Sequence, residues 1–150
     1  MKYVLPFVIA GFMVGSLAAA DGEDDASESV FWDGDIESLS QFVWEKRPLI
    51  VFADSPNDSS FGLQMEYLNE GVEGLAERDV VVLTDTDPSS QSALRTKLRP
   101  RGFMMVLIGK DGVVKLRKPL PWDVRELSRT IDKMPVRQRE VRERRAAGDG

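Results

Sequence analysis

The 150 residues are enough for one ordinary domain with its own core, and a hydrophobic share of 42% with 20 basic and 25 acidic residues matches globular proteins rather than disordered or membrane-embedded ones. The chain contains no His and no Cys. Without imidazole or thiol there is no Ser-His-Asp or Cys-His pair, no thiol redox couple, no His/Cys zinc site and no disulfide, which leaves carboxylate, hydroxyl, Lys or Arg chemistry, or none.

Lys2 carries the only charge in the first twenty residues, and Tyr3 to Leu17 is apolar apart from Gly11, Gly15 and Ser16. Ala18-Ala19-Ala20 then supplies small residues, and polarity switches at Asp21. This pattern predicts a signal peptide over 1–20, cut after Ala20; the competing reading is an uncleaved anchor, because the apolar run approaches membrane-spanning length. No Cys follows the cut to accept a lipid. The protein is therefore expected to be exported, periplasmic or secreted. The leader holds one Lys and no acid, so the remainder has 19 basic and 25 acidic residues, and nucleic acid is not an expected partner.

Asp21 to Glu37 holds eight acids and no base, with Val30-Phe31-Trp32 as its only apolar break, and reads as a solvated, mobile segment over 21–35. Ser38 to Glu45 has helical spacing at Ile36, Leu39, Phe42 and Val43, with Pro48 ending the element. Leu49 to Ala53 is an apolar run of strand length, predicted to be central. Asp54 to Ser59 is turn-forming, and Ser59 or Ser60 can cap a helix whose stripe is Phe61, Met65, Leu68, Val72 and Leu75. Asp79 to Leu83 predicts a second strand, completing a βαβ unit. Pro88 opens a short helix to about Leu98. Phe103 to Ile108 is a third strand, Lys110-Asp111-Gly112 a hairpin turn and Val113 to Arg117 a fourth strand. The last helix, Asp123 to Met134, is capped by Asp123 and buries Val124, Leu127 and Ile131. An Arg-rich tail follows over 136–150.

The predicted class is α/β, in the order βαβαββα, with a four-stranded mixed sheet and an N-terminal helix. This is the order of the thioredoxin fold. Thioredoxins carry Arg-Gly-Ile-Pro-Thr, four apolar residues and Lys-Asn-Gly; here Arg101-Gly102-Phe103-Met104-Met105 precedes Val106 to Gly109 and Lys110-Asp111-Gly112 without a gap. The family's cis-proline position falls on Met104, where a cis bond would cost about 3 kcal/mol, so a trans bond is expected. The Cys-x-x-Cys position falls on Asp54 to Asp58, which holds no cysteine. The segments Phe42 to Ala53, Leu75 to Val82, Gly109 to Arg117 and Ile131 to Pro135 resemble domain-of-unknown-function family 4174, over about Ile36 to Arg142. The resemblance implies a thioredoxin-like, peroxiredoxin-related domain of exported bacterial proteins and of animal extracellular proteins with sushi repeats. The predicted thioredoxin-like domain spans 36–135, and the resemblance carries no established activity.

In a thioredoxin-like topology the loops after the first and second strands and the start of the third meet at one end of the sheet. Asp54, Ser55, Asp58, Asp85, Asp87, Arg101 and Met104 are therefore candidate ligand residues, for a small polar ligand, Ca²⁺ or a cysteine-free enzyme. Against this, short polar side chains favour such loops for backbone hydrogen bonding alone. Asp33-Gly34-Asp35 opens like a Ca²⁺ loop but has Ser38 at the sixth position and Trp44 at the twelfth, so that match fails. Trp44 with Arg47 is either a recognition pair or, for the Trp, packing that closes the edge of the core. Arg137, Arg139, Arg142, Arg144 and Arg145 sit in a tail read as a frayed helical extension or as disordered. Such a tail can make a weak contact with an anionic surface, an acidic partner or the chain's own acidic run. No cofactor or metal is indicated. The reading favoured is a redox-inactive protein-interaction module with an unknown protein partner.

Overall fold

A computed structural model describes residues 30–148. The predicted signal peptide, its cleavage site and most of the acidic segment lie outside the described residues. The apolar runs become four strands: β1 (Arg47–Phe52), β2 (Val80–Asp85), β3 (Met104–Ile108) and β4 (Val114–Lys118). They form one sheet in the order β2-β1-β3-β4, with β1 and β2 parallel and the other neighbours antiparallel. The two central strands carry the continuous apolar sequences because both of their faces are covered. Among the described residues there are five α-helices, α1 (Ser59–Glu70), α2 (Val72–Glu77), α3 (Ala93–Leu98), α4 (Val124–Asp132) and α5 (Pro135–Gly148); α1, α2 and α4 cover one face of the sheet, and α3 with the 3₁₀ turn Leu39–Phe42 covers the other.

Alternation along the strands sorts the core into two layers. Leu49, Val51, Val82 and Leu107 pack with Leu68, Leu75, Leu127 and Ile131 of α1, α2 and α4. Ile50, Phe52, Leu83 and Val106 face the other way, onto Leu39, Phe42, Leu94 and Leu98. Each fully buried Leu or Phe stabilises the fold by roughly 1.5–3 kcal/mol, so the two layers supply most of the driving force. The edge strand β4 instead alternates Val114, Lys115, Leu116, Arg117 and Lys118, and its charges discourage pairing with another sheet.

Several expectations are corrected by the packing. The segment Ser38 to Glu45 forms only a 3₁₀ turn, Leu39–Phe42, and Pro48 lies inside β1 rather than ending the preceding element. The stripe Phe61, Met65, Leu68, Val72 and Leu75 does pack on one core, but over two helices divided at Gly71 rather than one. Close approach requires glycine at this point: a Cβ on Gly71 would lie 2.4 Å from Cβ of Val124 at the start of α4. Asp58, not Ser59 or Ser60, caps α1, its Oδ1 accepting from Phe61 N at 3.0 Å. The Pro88 helix is a 3₁₀ turn over Pro88–Ser90, then α3 capped by Ser92. The apolar break in the acidic run is docked rather than solvated. Val30 is buried, and Phe31 bridges Val82 along the outer edge of β2. The tail is neither frayed nor disordered; it is α5, with Arg137 only 2% exposed. No helix among the described residues is long and apolar enough to cross a membrane.

Candidate functional site

The loops at the C-terminal ends of β1 and β2 place the predicted ligand residues close in the fold but engage most of them with their own backbone. Asp58 caps α1. Ser55 Oγ accepts from Asn57 N at 3.1 Å, and Asp87 Oδ1 accepts from Ser89 N at 3.0 Å. Asp85 pairs with Arg95, which the sequence reading had not singled out, at 2.9 Å, and accepts from Ser92 Oγ. Arg95 also donates to the carbonyls of Ala53 and Asp85, tying the two strand ends together. Asp54 and Arg101 are exposed and take no part in this network, and Met104 lies beside Arg117 with 3.8 Å between Sδ and Nη1. The bond before Met104 is trans. Among the described residues no three carboxylates converge on a point where a metal ion could sit. Asp87 is nonetheless a stronger acid than usual, because Ser89 donates both its hydroxyl and its amide to the carboxylate.

The opposite end of the sheet is where charge and concavity concentrate. Arg47 opens β1 with its side chain 1% exposed, donating to Arg78 O at 2.7 Å and to Glu140 Oε1 at 3.1 Å. Lys110, in the turn just after β3, reaches Glu140 at 2.8 Å and Asp79 at 2.8 Å. Arg137 lies between Glu77 at 3.3 Å, Asp132 at 3.5 Å and Glu140 at 3.6 Å, and Arg144 reaches Asp79 at 3.5 Å. Thus α5, whose only branched apolar residues are Val136 and Val141, is held to the body chiefly by an ionic seam. Residues 137, 140 and 144 fall on one helix face at spacings of three and four. Two buried atoms, Arg137 Nε and Glu140 Oε2, have ionic neighbours but no hydrogen bond among the described residues.

The seam shifts its acids. Burial would raise Glu140 and Asp79, but hydrogen bonds and charge from Lys110, with Arg47 beside Glu140, outweigh burial and leave both carboxyls below their ordinary range. The hydrogen bond from Arg78 does the same to Asp132, and in return raises Arg78.

Beside the seam is a cavity of about 330 Å³ lined by Lys110, Lys115, Lys133, Met134 and Val136 among others. Trp44 stands next to it, its backbone amide donating to Lys110 O at 2.7 Å. Its φ is 64°, the left-handed region that costs a non-glycine residue roughly 1–2 kcal/mol. Trp44 is 63% exposed, which overturns the packing role expected for it. Val43 and Val113, 37% and 54% exposed, extend the apolar surface around the hairpin turn at Gly112. Arg47 is not its recognition partner, because the Arg side chain is sealed into the seam.

A family model described as Domain of unknown function (DUF4174) matches residues 38–140. The chain belongs to the DUF4174 family. Among solved structures it is similar to a Plasmodium yoelii thioredoxin peroxidase I, at 21% identity over 63% of this chain and 75% of the other, with a TM-score of 0.52. A Plasmodium vivax 2-Cys peroxiredoxin is 18% identical over 63% and 80%, with a TM-score of 0.51. A chloroplastic thioredoxin z is 20% identical over 69% and 91%, with a TM-score of 0.52. No curated protein matches the sequence. The likeness is therefore one of fold, and this DUF4174 chain is thioredoxin-like. The match spans Trp44, Arg47, Lys110 and Glu140, so both the cavity wall and the centre of the seam belong to the DUF4174 segment. Lys110, Asp79 and Glu140 were not singled out from sequence. The available signal was the 137/140/144 spacing in a tail otherwise too polar to pack.

Proposed function

We propose that this protein is an exported, redox-inactive thioredoxin-like domain that serves as a protein-interaction module, and that Trp44 is the centre of its contact surface. The observation that carries the reading is the display of Trp44. A large indole is held exposed by a backbone conformation that costs energy, and strain of this kind is retained where the surroundings enforce it, commonly at functional sites. Trp is also the residue type most enriched in interface hot spots. Exposed Val43 and Val113 enlarge the patch. Lys110 and Lys115 beside it are already paired with Asp79, Glu140 and Asp111, so the surface offers apolar contact more than charge. Loss of thiol chemistry rests on the absence of Cys from the whole sequence. Export rests on the apolar leader and the small residues ending at Ala20. Nucleic acid is not a partner in this reading, and no cofactor is required.

The test is site-specific photo-crosslinking in the source cell, with a photo-reactive amino acid at the position of Trp44 and, as control, at exposed Glu66 on α1. A discrete crosslinked protein from position 44 alone supports the reading. The same pattern from both positions, or none from position 44, overturns it. N-terminal sequencing of the exported protein should begin at Asp21, and disulfide-reductase and peroxidase assays should stay at buffer level.

A further inference from the structure

The outward face of α5 is a charged surface, unrelated to the Trp44 patch. The seam uses Arg137, Glu140 and Arg144, and leaves Arg139, Arg142 and Arg145 outside it, Arg142 and Arg145 flanking the seam and Arg139 facing farther out. All three are exposed, and none forms an ion pair among the described residues. With a rise of 1.5 Å per residue, they span about 9 Å of helix axis. Arg142 and Arg145 line a cleft of about 460 Å³ between α5 and the ends of α2 and α4. Its far wall is rigid: Arg78 and Asp132 hold each other through two hydrogen bonds of 2.9 Å. Four guanidiniums, those of Arg78, Arg137, Arg142 and Arg145, line this cleft against two carboxylates, Glu77 and Asp132. The cleft therefore carries excess positive charge on a protein that is acidic as a whole.

We infer that the Arg139, Arg142 and Arg145 face of α5, with the cleft beside it, binds an extended, carboxylate-rich segment of a partner protein. An extended chain places same-side residues about 6.5–7 Å apart, so two alternate Asp or Glu side chains can pair with guanidiniums spread over about 9 Å of helix axis, the long Arg stems taking up the difference. Guanidinium presents paired N–H donors that match a carboxylate in a bidentate fork. A bilayer surface fits less well. An interfacial helix needs a broad apolar face, and away from the seam α5 offers half-buried Val141 and the small Ala146 and Ala147, while the concave part of the site lies out of reach of a flat surface. The proposal shares with the Trp44 reading the premise of a protein partner, but it uses different residues and is tested separately.

The probe is fluorescein-labelled octaglutamate, titrated into the exported protein and followed by anisotropy at 50 and 150 mM NaCl, with octaglutamine as the neutral control. Octaglutamate should bind, octaglutamine should not, and the affinity should fall severalfold at the higher salt. The double variant Arg142→Gln/Arg145→Gln should lose tenfold or more in affinity at 50 mM NaCl. Its melting temperature should stay within 1–2 °C of wild type, because neither side chain belongs to the seam. Trp44→Ala should bind octaglutamate as wild type does, which separates failure here from failure of the Trp44 surface. Equal binding by wild type and the double variant would overturn the inference, as would sedimentation with vesicles of 70% phosphatidylcholine and 30% phosphatidylglycerol in the absence of octaglutamate binding.

Discussion

Glu140→Gln tests whether α5 is held by the ionic seam. The substitution keeps the side chain's size and removes only its charge. Arg47 would then keep Arg78 O as a partner but lose its anion, with 1% of its side chain exposed. Lys110 would keep Asp79. Breaking a buried pair by neutralising one member typically costs 3–5 kcal/mol; because the Glu140 side chain is 16% exposed, a cost of about 2–4 kcal/mol is expected. At about 3–5 °C per kcal/mol for a domain of this size, the melting temperature at pH 7 should fall by roughly 6–20 °C. Thermal unfolding followed by circular dichroism at 50 and 500 mM NaCl is the assay, and the loss should persist at high salt because the pair is buried. The double variant Arg47→Met/Glu140→Met should recover much of the loss, since removing both members leaves no orphaned charge between them. A fall of less than 3 °C for Glu140→Gln would refute the reasoning and leave α5 docked by its few apolar contacts.

Gly71→Ala puts a methyl group 2.4 Å from Val124 and should destabilise by about 1–3 kcal/mol in urea titrations, with partial rescue by Val124→Ala; an unchanged midpoint would count against the close approach of α4. Trp44→Gly should leave stability unchanged or raise it by up to about 1 kcal/mol, because relief of the left-handed φ offsets the entropy of glycine, whereas a core Trp would cost several times that. Glu140, Asp79 and Asp132 all have carboxyl pKa values lower in the folded than in the unfolded chain. Their stabilisation is therefore complete above the unfolded value near 4 and is lost as pH falls through the lower folded values, so melting temperature should be flat from pH 5.5 to 7 and drop below about pH 4.5. In Glu140→Gln that acid drop should be smaller.

The strands and the cores they build were legible because their signals are local. Leu49 to Ala53, Val80 to Leu83 and Met104 to Ile108 are apolar at every position, and that pattern is stable only between two covering layers. Asp123 and the Val124, Leu127, Ile131 stripe likewise announced α4 and its buried face without any knowledge of neighbours. The missing Cys and His excluded thiol and imidazole chemistry before any fold was known. What tertiary structure decided were matters of approach and of charge pairing between distant segments. Residue 71 must be glycine because Val124, more than fifty residues later, comes against it. Arg47, a charged residue at the head of an apolar run, is buried because Glu140 arrives from the far end of the chain to neutralise it. For the same reason a tail with almost nothing apolar becomes an ordered helix: ion pairs carry no periodic signature in one segment, since half of each pair is written elsewhere. Trp44 shows the converse. Its composition argued for burial, and only the turn that follows Phe42, tied to Lys110, turns the indole out to solvent.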